Sequence, residues 1–241
     1  VDGITVHSSF LKERILSLGI PAARIHRLPS SADTEPFERV SPAAVAAWRE
    51  RLELSDQPVV AYFGTMALVN HPVDLLLEAF ARLGARIPDG VLMLVGGGAD
   101  LVDLQDLAGH LGVTNRCRFV GRVRADEVPA LHGLARVTVD PVHDDLLARA
   151  RWPLKIVESL AAGVPVVTGD VGDRREMLGG EAAGLVVRPG DAVALADGLE
   201  AILADPILHQ RLAEGCLLQA ARYSPSDLAA DLLTFYKQVQ T

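Results

Sequence analysis

Short apolar runs alternate with segments of helical periodicity along most of the chain. The runs are rich in β-branched residues and apolar at consecutive positions, which is typical of strands buried on both faces of a parallel sheet. The predicted strands cover residues 3–6, 25–28, 59–63, 91–95, 117–120, 137–139, 165–167 and 184–187. Their alternation with helices predicts a doubly wound α/β fold whose crossovers are right-handed.

The segments between these strands carry apolar residues three or four positions apart. In residues 73–83, for example, Leu76, Leu77, Phe80 and Leu83 share one helical face. The predicted helices cover residues 9–18, 42–52, 73–83, 101–111, 125–134, 154–162, 192–203, 206–223 and 225–240. The last three follow one another without a strand, so we expect C-terminal helices that pack across the sheet or reach a neighbouring domain.

The first part of the chain is set apart by a turn-rich stretch at residues 29–33. We therefore predict a boundary near residue 36. Residues 1–35 would be a remnant of a preceding N-terminal domain or linker, and residues 36–241 would form the sheet domain. The chain begins Val-Asp-Gly and has no starting Met, which favours a fragment or an excised domain.

Composition narrows the range of functions. The net charge of −8 and the pI of about 5.3 argue against a general affinity for nucleic acid, although a small basic site for one diphosphate is still allowed. We see no signal peptide and no apolar run near the roughly 18 residues that cross a bilayer. Cys117 and Cys216 have no metal-binding spacing and are expected to be buried thiols in a reducing, cytoplasmic compartment. No metal site is predicted.

In open α/β sheets, ligands bind at the carboxyl ends of the strands. Five loops follow predicted strands, at residues 63–65, 96–98, 121–123, 140–145 and 169–174. The glycine triplet at 96–98 lacks the GxGxxG spacing of a dinucleotide site, so a tight turn with close helix packing is the favoured interpretation. Asp173 and Arg174 are interpreted as a helix cap with its ion pair.

The predicted helix at 154–162 is more informative. It begins after Trp152-Pro153, carries Lys155 in its first turn and Glu158 one turn later on nearly the same face. A helix N-terminus attracts anions, and a cation there is unfavourable unless an anion offsets it. This pattern suggests a diphosphate site, and from helix geometry alone a plain Lys–Glu surface pair is an equal alternative.

The segment Glu158-Ser-Leu-Ala-Ala-Gly-Val-Pro-Val-Val167 resembles the E-x-(L/M)-A-x-G-x-P-V-V signature of group 1 (family 4) retaining glycosyltransferases of GT-B fold. Other parts of the chain resemble that family in the same order. They are Ile4–Ser9, Arg27–Asp33, Val73–Phe80, Leu94–Gly98, Phe119–Gly121 and Leu185–Asp191. The resemblance implies that the chain is the nucleotide-sugar-binding, Rossmann-like C-terminal half of such an enzyme.

The resemblance also implies roles for individual residues. Glu158 would bind the ribose hydroxyls, and Lys155 would stabilise the departing diphosphate at the helix N-terminus. These two are the predicted catalytic pair. The predicted donor-binding residues are Gly64, Thr65, Gly97, Arg122, Val123, His143, Asp144, Arg149, Arg151, Pro153 and Leu154. Among these, the backbone near Arg122 would meet the base, and Gly64 would lie close to the phosphates.

Three positions depart from the family pattern. Thr65 stands where an Arg is usual, Asn70-His71-Pro72 occupies the stretch where a Lys is usual, and Ala150 replaces the first acid of the family's E-x7-E pair. Arg149 and Arg151, with Lys155, are then expected to supply the positive charge. His143, Asp144 and Asp145 are candidates to replace the acid. Solvated loop residues are the alternative for each.

These features predict a glycosyltransferase that moves a sugar from a nucleoside diphosphate donor with retention, with the nucleotide sugar as substrate and no cofactor. Its expected partner is a missing N-terminal acceptor domain, with no nucleic acid and no direct membrane contact from this fragment. Alone, the chain is expected to bind nucleotide weakly without turnover. The alternatives are a non-catalytic binding or assembly module of the same fold, and a GT-B epimerase or phosphorylase. A Rossmann dehydrogenase is the least favoured.

Overall fold

The computed structural model describes residues 2–239. Its first two strands, β1 (Ile4–Val6) and β2 (Ile25–Arg27), form a small parallel sheet of their own. The remaining strands form one six-stranded parallel sheet. They are β3 (Val59–Phe63), β4 (Val91–Val95), β5 (Cys117–Gly121), β6 (Val137–Asp140), β7 (Val166–Gly169) and β8 (Gly184–Val187).

The large sheet runs in the order β5-β4-β3-β6-β7-β8. Counted within this sheet, the order is 3-2-1-4-5-6, that of the doubly wound dinucleotide-binding fold. The first strand, β3, therefore pairs with β4 on one side and with β6 on the other, with Val60 opposite Val137. The chain reverses its winding direction at this point, which opens a crevice beyond the ends of β3 and β6. The predicted fold class is confirmed.

Helices flank both faces of the large sheet, and others pack on the small one. Over residues 2–239 the α-helices are α1 (Ser9–Leu16), α2 (Glu35–Glu38), α3 (Pro42–Arg51), α4 (Val73–Leu83), α5 (Leu101–His110), α6 (Val128–His132), α7 (Leu146–Ala150), α8 (Leu154–Ala161), α9 (Arg174–Met177), α10 (Ala192–Ala204), α11 (Pro206–Ala220) and α12 (Pro225–Val239). Helices α4 and α10 bury their apolar sides in one core with β3, β4 and β6. Helices α3 and α6 close the opposite core, which contains Trp48 and Leu131.

The sequence prediction missed three short helices, α2, α7 and α9, each of four or five residues. It also read residues 125–134 as a continuous helix, whereas the structure has a 3₁₀ turn at Ala125–Glu127 followed by α6. Pro129 near the start of α6 fits this break, because proline is tolerated only in the first turn of an α-helix.

The C-terminal helix returns to the first segment of the chain. In α12, the ring of Phe235 stacks on His26 of β2 with 4.9 Å between ring centroids, and Asp231 Oδ2 lies 2.8 Å from His26 Nε2. Of the expected C-terminal helices, α10 packs on β6, β7 and β8 of the large sheet, whereas α12 contacts β2 of the first segment. The expected end of the last helix at Gln240 falls outside the described residues. The boundary near residue 36 stays a prediction.

Both cysteines are buried as free thiols, as predicted. Burial raises the pKa of each to about 12, so neither thiol is reactive near neutral pH. Within residues 2–239, no helix has both the length and the apolar character that crossing a membrane requires.

Candidate functional site

A cavity of about 560 Å³ opens at the carboxyl ends of β3 and β6, where the winding of the sheet reverses. The loops after β3, β4, β5 and β6 surround it, and the N-terminal turn of α8 forms one wall. Ten of the thirteen predicted site residues line this cavity. They are Gly64, Thr65, Gly97, Arg122, Val123, Arg151, Pro153, Leu154, Lys155 and Glu158.

The other three predicted residues lie outside the cavity. Asp144 and Arg149 are both exposed and bind each other, with Arg149 Nε donating to Asp144 Oδ1 at 2.6 Å. They line a separate surface groove next to α1, and His143 lines a third depression. The mutual ion pair satisfies both charged groups away from the crevice. The structure therefore keeps Asp144 and Arg149 apart from the rest of the predicted site, whereas His143 shares its depression with Arg151.

Glycines let the loops around the cavity approach one another closely. A Cβ on Gly96 would lie 1.9 Å from the carbonyl oxygen of Gly64, and a Cβ on Gly98 would lie 2.1 Å from that of Met66. Both distances are far below van der Waals contact. The interpretation of the glycine triplet as a tightly packed turn therefore describes Gly96 and Gly98, whereas Gly97 lines the cavity.

The N-terminus of α8 carries unpaired backbone donors. Its N-cap residue is Pro153, whose side chain makes no capping hydrogen bond, and the Ile156 N–H is already bonded to the Pro153 carbonyl. Among residues 2–239, no acceptor is bonded to the N–H groups of Leu154 and Lys155. These groups and the helix dipole form a favourable environment for an anion.

The ammonium group of Lys155 lies on the cavity wall. Its side chain is 15% exposed, and its Nζ is 3.4 Å from Asp140 Oδ1 and 4.4 Å from the centre of the Tyr62 ring. Burial lowers the pKa of Lys155, and the Asp140 carboxylate opposes that change. The anion that offsets this cation within the protein is therefore Asp140.

Asp140 is a site residue that the sequence did not single out. It ends β6 and is almost fully buried, and its Oδ2 accepts hydrogen bonds from Arg174 Nε at 2.8 Å and Thr168 Oγ1 at 3.3 Å. Burial opposes its ionisation, but Arg174 and Lys155 together hold the pKa of Asp140 below its usual range.

Asp173 occupies the predicted N-cap position of α9, but its side chain makes no cap hydrogen bond. The predicted ion pair between Asp173 and Arg174 was wrong, because Arg174 turns inward to Asp140. Instead, Asp173 Oδ2 accepts from the backbone N–H of Ser9 at 2.8 Å, which ties the first segment to the sheet domain. The long separation between Asp140 and Arg174 in the sequence hides this pair from any local pattern.

Glu158 is half-buried on the cavity wall, one turn beyond Lys155. Within the part of the chain that the structure describes, its carboxylate takes part in no ion pair or hydrogen bond. Burial raises the pKa of Glu158, and the charge of Lys155 partly opposes this. A Lys155–Glu158 surface pair is therefore not formed, and the carboxylate is available as an acceptor.

His71 and Arg151 also line the cavity, and the sequence identified His71 only as part of a departure from the family pattern. Burial, together with the charges of Lys155 and Arg151, lowers the pKa of His71 to about 4, so it is neutral at pH 7. Arg151 donates to the backbone carbonyl of Asn70 at 2.6 Å, which attaches this loop to the segment before α8. The cavity therefore combines cationic groups at one helix end with a single unpaired carboxylate nearby.

A family model described as "Glycosyl transferases group 1" matches residues 45–216, which include the whole crevice from β3 to α9. The chain belongs to the group 1 glycosyltransferases. This confirms the resemblance noted in the sequence and the GT-B class of the fold.

Two relatives of this group 1 glycosyltransferase chain match most of its length. One is the GDP-mannose-dependent alpha-(1-6)-phosphatidylinositol monomannoside mannosyltransferase of Mycolicibacterium smegmatis, 35% identical over 85% of this chain and 54% of the relative. Another is the alpha-D-kanosaminyltransferase of Streptomyces kanamyceticus, 31% identical over 91% of this chain and 56% of the relative. The chain thus spans about half the length of the curated relatives it matches.

The fold is also shared with solved structures. The crystal structure of Anabaena HepE in complex with UDP superposes with a TM-score of 0.84 at 20% identity, covering 98% of this chain and 64% of that one. At this identity the similarity establishes the fold.

Proposed function

We propose that this group 1 glycosyltransferase chain is the half that binds the nucleotide sugar and stabilises the leaving diphosphate. The observation that carries the proposal is the position of Lys155 and Glu158, one turn apart on one wall of the crevice at the switch point of the sheet. A cation at a helix N-terminus suits a diphosphate, and an unpaired carboxylate suits two vicinal ribose hydroxyls.

Each group then has a distinct task. When the bond between the anomeric carbon and the diphosphate oxygen breaks, the electron pair leaves with the diphosphate. The Lys155 ammonium and the N–H groups of Leu154 and Lys155 stabilise that charge without reorganisation. Glu158 orients the nucleoside, and the acceptor oxygen bonds to the anomeric carbon while its proton passes to an oxygen of the departing diphosphate. Retention of anomeric configuration is part of this proposal.

The relatives suggest which donors to test first. One has GDP-mannose in its name, and the HepE structure contains UDP. We propose a nucleoside diphosphate sugar as the substrate, with no added cofactor, and an acceptor-binding domain as the partner that completes the active site. The cytoplasmic location suggested by the free thiols is part of the same proposal.

Isothermal titration of the 241-residue chain with GDP-, UDP- and ADP-sugars tests the proposal. We expect weak binding of at least one donor, no turnover, and about tenfold weaker binding by Glu158→Gln, since a hydrogen bond to a charged group contributes about 1.5 kcal/mol or more. Glu78→Gln is the matched control, because Glu78 is exposed on α4 outside the cavity. Absence of heat with every donor, while a longer protein containing both halves binds one, would contradict the proposal.

The second candidate is a non-catalytic binding or assembly module. Thr65, His71 and Ala150 favour it, because they place neutral groups where the family pattern has charged ones. Joining the chain to an acceptor domain and measuring nucleotide release from a donor panel separates the transferase from the module. Release only with an acceptor supports the transferase, and persistent absence of release with intact binding supports the module.

A further inference from the structure

Three charged side chains meet in the wall of the cavity. The carboxylate of Asp140 lies between Arg174, whose Nε is 2.8 Å away, and Lys155, whose Nζ is 3.4 Å away. The side chains of Asp140 and Arg174 are only 5% and 3% exposed. One anion therefore faces two cations, and this cluster carries one positive charge in excess.

The two cations of the cluster are bound very differently. Arg174 donates to Asp140 and, through Nη1, to the carbonyls of Ala148 at 3.0 Å and Val171 at 3.2 Å. For Lys155, the 3.4 Å contact with Asp140 is longer than the roughly 2.7–2.9 Å of a charge-assisted hydrogen bond. An ammonium has three donors. The excess charge therefore resides on Lys155, at the cavity side of the cluster.

We propose that Asp140 is a positioning residue that keeps the Lys155 ammonium charged and directed at the cavity, while Arg174 holds Asp140 in place and leaves that ammonium free for an anionic ligand. The identification of the anionic ligand as a nucleoside diphosphate rests on the proposed function. The arrangement of the three side chains does not depend on that function.

The surroundings of Lys155 single out Asp140 as the group that favours its charge. Burial and the cations Arg174 and Arg151 lower the pKa of Lys155, and Asp140 raises it. From β3, the Tyr62 ring faces the ammonium, and the loop before α4 contributes the neutral His71. The remaining carboxylate nearby is Glu158 on the same helix, whose own pKa is raised by burial.

Two substitutions have opposite expected effects on Lys155. Asp140→Asn leaves both cations without their anion, so the proton affinity of Lys155 falls, by about tenfold or more. Arg174→Met removes the competing cation and leaves Asp140 to pair with Lys155 alone. The proton affinity of Lys155 then rises, and its ammonium becomes less available to a ligand. If the Asp140–Arg174 pair had only a structural role, both variants would be less stable, but the proton affinity of Lys155 would not change in opposite directions.

The sequence contains only three lysines, Lys12, Lys155 and Lys237, which makes a direct measurement practical. Labelling the lysine ε-carbons with ¹³C gives three NMR signals, and Lys155→Arg assigns the buried one. Titration with pH should show a lower midpoint for Lys155 in Asp140→Asn and a higher one in Arg174→Met. Asp170→Asn, which removes an exposed partner of Arg175, is the control and should leave the midpoint unchanged.

Binding of UDP and GDP to the same proteins forms the second part of the test. When the pH is raised from 6.5 to 9, the nucleotide affinity of Asp140→Asn should fall by about tenfold more than that of the original chain. Arg174→Met should bind nucleotide about tenfold more weakly than the original chain at both pH 6.5 and pH 9. If Asp140→Asn does not fold, as judged by circular dichroism, Arg174→Met decides alone.

The two parts of the test separate the two proposals. If the proton affinity of Lys155, measured from its titration midpoint, stays within twofold of that in the original chain in every folded variant, the proposed role of Asp140 is overturned. Shifted midpoints in a chain that binds neither UDP nor GDP leave the positioning role standing and count against the proposed function alone.

Discussion

The Lys155 ammonium lies over the Tyr62 ring, 4.4 Å from its centre, and the Tyr62 hydroxyl donates to the carbonyl of Thr65 at 2.8 Å. One fully buried tyrosine at the end of β3 therefore contacts both the cation of α8 and the loop that follows Gly64. This contact links the two sides of the crevice on which the proposed diphosphate site depends.

Removing the Tyr62 ring should weaken nucleotide binding. A cation–π contact contributes about 1 kcal/mol or more when it is partly desolvated, so Tyr62→Leu should lower UDP or GDP affinity roughly fivefold. Tyr62→Phe keeps the ring and loses only the hydrogen bond to Thr65, so its affinity should stay within about twofold. Titration calorimetry on both variants provides the measurement, and equal affinities for Leu and Phe would contradict the role of the ring.

Glu158→Gln should affect binding and stability in opposite directions. The folded-state pKa of Glu158 is raised by burial, so the folded chain favours the protonated form. Its contribution to stability is present below the unfolded pKa and is lost as pH rises through the folded pKa. At pH 7 the neutral Gln should therefore raise the free energy of unfolding while nucleotide affinity falls about tenfold.

Urea melts at pH 4 and pH 7 check the stability effect of Glu158→Gln. The stabilisation should be larger at pH 7, and Glu78→Gln should change neither melting nor binding. Destabilisation of Glu158→Gln at pH 7 would show that the carboxylate has a structural partner.

Gly64→Ala should disturb the site through its backbone and its new methyl group. Gly64 has φ +153°, and a Cβ there would lie 2.9 Å from Tyr62 Oη and 3.0 Å from Lys155 Nζ. Both side chains would have to move, so we expect at least about tenfold weaker nucleotide binding and a loss of roughly 1–2 kcal/mol of stability. Gly109→Ala in α5 is the control, and it should be neutral or stabilising by up to about 1 kcal/mol. Unchanged nucleotide affinity in Gly64→Ala would contradict this role of the loop.

His132 should contribute to acid sensitivity. It is fully buried, its ring stacks on Phe63 at 3.7 Å, and burial lowers its pKa to about 4. Its contribution to stability is therefore present above the unfolded pKa near 6.5 and is lost as pH falls towards 4, by roughly 3 kcal/mol in total. His132→Phe should flatten the dependence of unfolding free energy on pH between 7 and 4, whereas the exposed His110→Gln should not. Parallel curves for the original chain and His132→Phe would count against this explanation.

The central strands could be predicted from sequence because each is buried on both faces. The apolar runs at Val59–Phe63 and Val91–Val95 match the observed strands residue for residue. Helices α7 and α9 were missed because four or five residues are too few to show a helical period. The contact of α12 with β2 depends on the pairing of His26 with Asp231, which no local pattern indicates.

The candidate site was predictable where a family motif fell on one helix. Lys155 and Glu158 occupy consecutive turns of α8, so helix geometry predicted that they share one face, and the family resemblance assigned that face to the donor site. The partner of Lys155 was not predictable, because Asp140 is fifteen residues away and reaches it only through the pairing of β6 with its neighbours. Asp144 and Arg149 were placed in the site by their charge, yet their mutual ion pair keeps them outside.

Soaking a crystal of the chain with GDP-mannose or a UDP-sugar would show whether the donor binds at the N-terminus of α8. We expect density for the diphosphate within hydrogen-bonding distance of Lys155 Nζ and the first N–H groups of α8, with the ribose hydroxyls at the Glu158 carboxylate. Nucleotide density elsewhere on the surface, or an empty crevice at a concentration where calorimetry shows saturation, would contradict the proposed donor site.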